Sequence, residues 1–81
     1  MSAPLSDEDA AALARLRAHV AKRGGDSGAD LSAMGARTGC DAWYVAGSTA
    51  DATLVRVSVS VVAPTPAAAI LAAGEALGVA L

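Results

Sequence analysis

Thr53-Leu54-Val55-Arg56-Val57-Ser58-Val59-Ser60-Val61-Val62 is the stretch that decides the fold. Val55, Val57, Val59 and Val61 recur at every second position, with Arg56, Ser58 and Ser60 between them. A two-residue period belongs to a strand, whose successive side chains point to opposite faces. One face of this strand is built for burial and the other for water. Just upstream, Ala42 to Ala46 contains Trp43, Tyr44 and Val45 and predicts a short partner strand. Gly47-Ser48-Thr49-Ala50-Asp51 between them is a turn of hairpin length, so residues 42–62 read as a β-hairpin. Trp43 and Tyr44 must face opposite ways. One enters the core, and the other is left partly exposed as a candidate anchor for a partner, since aromatics are enriched at binding hot spots.

Working outward, a helix is predicted over residues 6–23. Ser6 is a good N-cap, and Asp7, Glu8 and Asp9 put negative charge at the positive end of the helix dipole. Lys22 and Arg23 stand in the last turn, and Gly24 and Gly25 stop the helix. Leu13, Leu16 and Val20 share one face. A second helix is predicted over 65–77, with Thr65 as cap, Pro66 at the first helical position and Gly78 as terminator. It is apolar nearly all round, with Glu75 as its only charge. It therefore lies between the hairpin and the first helix, or part of its surface is a subunit interface. Residues 24–40 read as a Gly/Ser/Asp-rich connector. Within it Asp30-Leu31-Ser32-Ala33-Met34-Gly35 suggests one helical turn, and a short third strand is the alternative.

The expected architecture is α+β: helix, connector, β-hairpin, helix, in one domain over residues 1–81, with both helices on one face of a small antiparallel sheet. A two-stranded sheet is marginal alone. Pairing of the long second strand with another copy would enlarge it, so a homodimer is among the expected partners.

A chain of 81 residues buries a modest fraction of its surface and often leans on disulfides, metal or a partner subunit. Cys40 is the only cysteine and His19 the only histidine, so neither an internal disulfide nor a Cys/His metal site is expected. A 54% hydrophobic composition excludes a disordered chain. A net charge of −2 argues against a general nucleic-acid binder, which carries a basic footprint. The acidic start lacks the apolar core of a secretory signal, and no apolar run is long and unbroken enough to span a membrane. With one unpaired thiol, the cytoplasm is the expected compartment.

No catalytic set stands out, and no cofactor is expected. A triad or a Cys–His pair would need His19 as its base, and His19 sits on the charged side of the first helix. Arg23-Gly24-Gly25-Asp26-Ser27-Gly28 lacks the Gly-Lys-Ser/Thr ending of a phosphate loop. Two groups of charges remain as candidate contact residues. The acids Asp7, Glu8, Asp9, Asp26, Asp30 and Asp51 are suited to imitate nucleic-acid phosphates against a basic groove. The bases Arg15, Lys22 and Arg23, with His19, form a stripe on the first helix suited to an acidic surface.

Thr65, Pro66, Ala69, Glu75, Ala76 and Leu77 resemble the helix that follows the hairpin in the HicB family of antitoxins. That resemblance implies an antitoxin or a small DNA-associated transcriptional regulator. In overall character the chain is similar to small phage-encoded inhibitors of the anti-CRISPR type: short, acidic and without catalytic residues. That resemblance implies a protein-binding module that blocks a nucleic-acid-binding surface on a protein or ribonucleoprotein complex. A structural subunit of a larger assembly is the third expectation.

Overall fold

The structure is a computed structural model that describes residues 5–48 and 53–79. Its elements run α1 (Asp7–Arg23), β1 (Asp26–Met34), β2 (Arg37–Ser48), β3 (Thr53–Ala63) and α2 (Pro66–Ala76). The three strands form one antiparallel sheet in the order β1-β2-β3. Both helices pack on the same face of it, α1 over β1 and β2, α2 over β2 and β3. The α+β architecture is the one the sequence predicts.

Both helices begin on their caps. The Asp9 N–H donates to Ser6 Oγ at 3.1 Å, and the Ala68 N–H donates to Thr65 Oγ1 at 3.2 Å. Gly78 ends α2 with φ +73°, where the left-handed backbone favours glycine. The Val79 N–H then donates to the Gly74 carbonyl and the Gly78 N–H to the Glu75 carbonyl, which is the Schellman arrangement. α2 touches both hairpin strands and α1, while α1 itself rests on β1 and β2.

The connector supplies the third strand, the alternative to a helical turn, and it is longer than expected. Residues 26–34 are a full strand, paired with β2 from Asp26↔Val45 to Met34↔Arg37, and Gly35 turns the chain with φ +66°. Asp30 to Gly35 forms no helical turn. Leu31 and Met34 consequently face opposite ways: Leu31 packs against the core and Met34 is exposed. Ser27, Ala29, Leu31 and Ala33 alternate with Asp26, Gly28, Asp30 and Ser32, which is a strand period written in small residues. The first strand of the expected hairpin is also longer than Ala42–Ala46, reaching back to Arg37 and on through Gly47 and Ser48. The remainder of the expected turn, including Asp51, lies outside the described residues.

The core has a division of labour. The helices contribute its large side chains, Leu13, Leu16, Val20, Ile70 and Leu77, while the sheet contributes Ala29, Cys40, Ala42 and Ala63. Small residues on the sheet let two helices settle close to it. The valine face is only partly covered. Val57, Val59 and Val61 pack against the core half-buried, and Val55 is 54% exposed. The cause is position: β2 is the middle strand and lies under both helices, whereas β3 is an edge with only α2 above it.

Strand length adds to this. Twelve residues of β2 extend roughly 40 Å, against roughly 25 Å for α1 and 16 Å for α2. The molecule measures 45 × 23 × 21 Å. Arg23 and Leu77, at the ends of the helices, come together level with Tyr44. The paired ends of β2 and β3, Ala46–Ser48 and Thr53–Val55, overhang both the helical layer and β1.

Candidate protein-binding face

The sheet has a second face that no helix covers. Alternation puts on it Asp26, Gly28, Asp30, Ser32 and Met34 from β1, Arg37, Gly39, Asp41, Trp43, Val45 and Gly47 from β2, and Leu54, Arg56, Ser58, Ser60 and Val62 from β3. Trp43 is directly opposite Gly28 on one side and Ser58 on the other. Its indole leans over Gly28, so that a Cβ built there would come within 2.5 Å of Trp43 Cζ2. Glycine at 28 is thus the seat of the ring. Two more glycines of β2 are crowded: Gly39 by the side chains of Ser32 and Met34, and Gly47 by the Thr53 backbone and the Leu54 side chain.

Because the indole leans towards β1, the β3 side of it is left open. A shallow concavity of about 430 Å³ results, lined by Asp41, Trp43, Arg56, Ser58 and Ser60 with backbone of Ala42 and Val59. Its floor is serine, its walls are one aromatic ring and one charge of each sign. Around it, Leu54 (75%), Met34 (53%) and Val62 (46%) are exposed apolar side chains on the same face. Asp30 and Asp41 stand directly opposite each other on neighbouring strands, two carboxylates side by side.

The structure separates several residues that the sequence grouped. Of the acids, Asp26 and Asp30 lie on this face, and Asp41 joins them although nothing in the sequence singles it out. Asp7, Glu8 and Asp9 sit in the first turn of α1, in the helical layer and near the opposite end of β1 from Asp26. Asp51 lies outside the described residues. The six do not form one cluster. Of the two aromatics, Tyr44 is the one that packs into the core and Trp43 the one on the open face.

The basic stripe also divides. Arg23 is engaged: its Nη1 donates to the Leu77 carbonyl at 3.1 Å, and its guanidinium lies 5.9 Å from the centre of the Tyr44 ring. Arg15 and Lys22 stay exposed, and His19 is half-buried. Arg17, which the sequence did not single out, is paired with a carboxylate. It donates from Nε to the Ala29 carbonyl at 2.9 Å and from Nη2 to Asp30 at 3.4 Å.

Cys40 is fully buried on the helix-facing side of β2, and burial, with the nearby charges of Asp41 and Asp30, pushes its thiol above the ordinary value. Such a thiol is a weak nucleophile at neutral pH. Among the described residues no three His, Cys, Asp or Glu side chains are grouped to hold a metal ion. Among them, too, no helix is long and apolar enough to cross a membrane. Comparison with protein-family models, with curated proteins and with solved structures gives no match.

Proposed function

We propose that this chain is a non-catalytic protein-binding module that lays the open face of its sheet on a larger protein or ribonucleoprotein and inhibits or regulates it by occupying that surface. The observation that carries the reading is Trp43. It is the only tryptophan in a chain with one tyrosine and no phenylalanine. It is held half-buried over Gly28, in the middle of the one face that no other element covers. A rigid indole beside an open polar concavity is the composition of a hot spot: a large apolar anchor plus a socket for one side chain of the partner.

Asp26, Asp30 and Asp41 around the indole favour a partner surface edged with lysine and arginine. Imitation of phosphates against a nucleic-acid-binding groove is the finer form of this reading. It agrees with the character the chain shares with phage-encoded inhibitors of the anti-CRISPR type, and with residence in a cytoplasm. The absence of a catalytic role is supported by the enclosed Cys40 thiol.

The test compares variants in capture from an extract of the native host. Trp43→Ala, and Asp30→Ser with Asp41→Ser, are each expected to weaken the captured complex at least about tenfold, a hot-spot-sized loss. The effect of the aspartates is expected to shrink as salt rises. Arg15→Ser with Lys22→Ser is expected to leave binding unchanged. Loss confined to the α1 variant, together with duplex DNA binding at low salt, would reject the open face and favour the antitoxin-like regulator.

A further inference from the structure

An open sheet has two edges, and each presents unpaired N–H and C=O groups to any strand that fits. Here the two are treated differently. β1 carries Asp26 and Asp30 along its nine residues, and Arg17 from α1 reaches around it to the Ala29 carbonyl and Asp30. Charge and a side chain laid across the strand are the ordinary protections of an edge. β3 has neither. Its eleven residues contain one charge, Arg56, and no proline, and they pair with β2 in unbroken register without a bulge. On it Leu54 is 75%, Val55 54% and Val62 46% exposed.

The sequence of β3 is also nearly the same in both directions about Ser58. Reading outward in pairs gives Val57 with Val59, Arg56 with Ser60, Val55 with Val61 and Leu54 with Val62. A two-fold axis normal to the sheet at Ser58 would set each of these pairs directly opposite across two antiparallel β3 strands. Residues of equal parity then face the same side, so valine meets valine on the helix side, and Leu54 meets Val62 on the open side. No like charges are opposed, because Arg56 meets Ser60. Centring on Val57 instead sets Leu54 against Ser60, and centring on Val59 sets Arg56 against Val62. The Ser58 register is the one that matches side chains throughout.

We infer that the occupant of the β3 edge is a second copy of this chain. The product is a two-fold dimer with a continuous six-stranded sheet, four helices on one face and the two protected β1 strands outermost. The inference is independent of the proposed function, since the open faces of both copies remain free and become one surface.

Sedimentation equilibrium on the full chain tests it. The wild type is expected at twice 7.9 kDa. Ser58 is exposed on the open face, so charge is tolerated there by the fold. Ser58→Asp and Ser58→Lys are each expected to raise the dissociation constant at least tenfold while the far-UV circular dichroism stays native. An equimolar mixture of the two is expected to recover the dimer. Under oxidation Ser58→Cys is expected to form a covalent dimer and Ser60→Cys to form none. A wild type that stays monomeric at every attainable concentration overturns the proposal. So does a Ser58→Asp dimer as tight as the wild type, or cross-linking of Ser60→Cys in place of Ser58→Cys.

Discussion

Arg17 and Asp30 meet at 3.4 Å although α1 lies on one face of the sheet and the Asp30 side chain on the other. The arginine passes around the free side of β1 to reach it, and donates to the Ala29 carbonyl on the way. Both partners are largely exposed, so the ion pair itself contributes little. The hydrogen bond to Ala29 dominates, and Arg17→Ala is expected to cost roughly 1 kcal/mol in urea unfolding. Its larger effect is on association. With β1 unguarded, light scattering is expected to detect species heavier than a dimer, which Arg17→Lys should suppress in part.

Two glycines predict opposite outcomes from the same substitution. A Cβ at Gly28 meets only the far edge of the Trp43 ring, which can swing away from the open face. Gly28→Ala is expected to cost about 1 kcal/mol, the low end of overpacking, and to shift Trp43 emission to the red. A Cβ at Gly24 would meet the backbone of Val45 at 2.0 Å from its carbonyl oxygen. Backbone inside a sheet cannot give way, and Gly24→Ala is expected to cost about 3 kcal/mol or more. Equal losses in chemical denaturation would refute the contrast.

Arg23 fastens the end of α1 to the end of α2 through the Leu77 carbonyl, and its guanidinium lies over Tyr44. A charged donor on a carbonyl at a helix C-terminus is worth about 1.5–3 kcal/mol. Arg23→Ala is expected to lower stability by about 2 kcal/mol. For a domain of this size that is a fall in Tm of roughly 8–16 °C. Lysine can keep the charge but cannot reproduce the planar contact with Tyr44, so Arg23→Lys is expected to fall between.

Burial and the neighbouring aspartates raise the Cys40 thiol above its ordinary value of 9.0. The folded state therefore holds this proton more tightly than the unfolded chain does. The resulting stabilisation is fully present below about pH 9 and is lost as pH climbs from there through the raised value. Between pH 8 and 10.5 the wild type is expected to lose more stability than Cys40→Ala, and the difference between the two curves isolates this one group. At pH 7.5 an aromatic disulfide reagent is expected to react with Cys40 only at the rate of unfolding.

The helices were legible because their signals are local. Ser6, Thr65, Pro66 and Gly78 act within a turn of where they stand, and each sits where its chemistry requires. β3 was legible from its valines. β1 was legible only as the alternative of a short third strand, because Asp, Ser, Gly and Ala are poor strand formers, and what makes residues 26–34 a strand is nine consecutive pairings with β2. Leu31 and Met34, three apart, imitate a helical turn, and only the partner strand decides that they diverge. The candidate site suffered from the same gap. Asp41 and Gly28 belong to the face of Trp43 only once β1 and β2 are known to pair, and the grouping of Asp7 to Asp9 with Asp26 dissolves when the two ends of the sheet are told apart.

The sheet order follows the chain order, so every strand finds its partner next in line. Such nearest-neighbour closure spares the chain the entropy of long loops and favours rapid folding. During synthesis α1, β1 and β2 can assemble as they emerge, and β3 adds to a hairpin already formed. The last step is different in kind. α2 covers the half of the core over β2 and β3, and Arg23 finds the Leu77 carbonyl across 54 residues. A nascent chain halted before Pro66 would carry that half of its interior bare, which makes the final eleven-residue helix the latch that ends its exposure to proteases and chaperones.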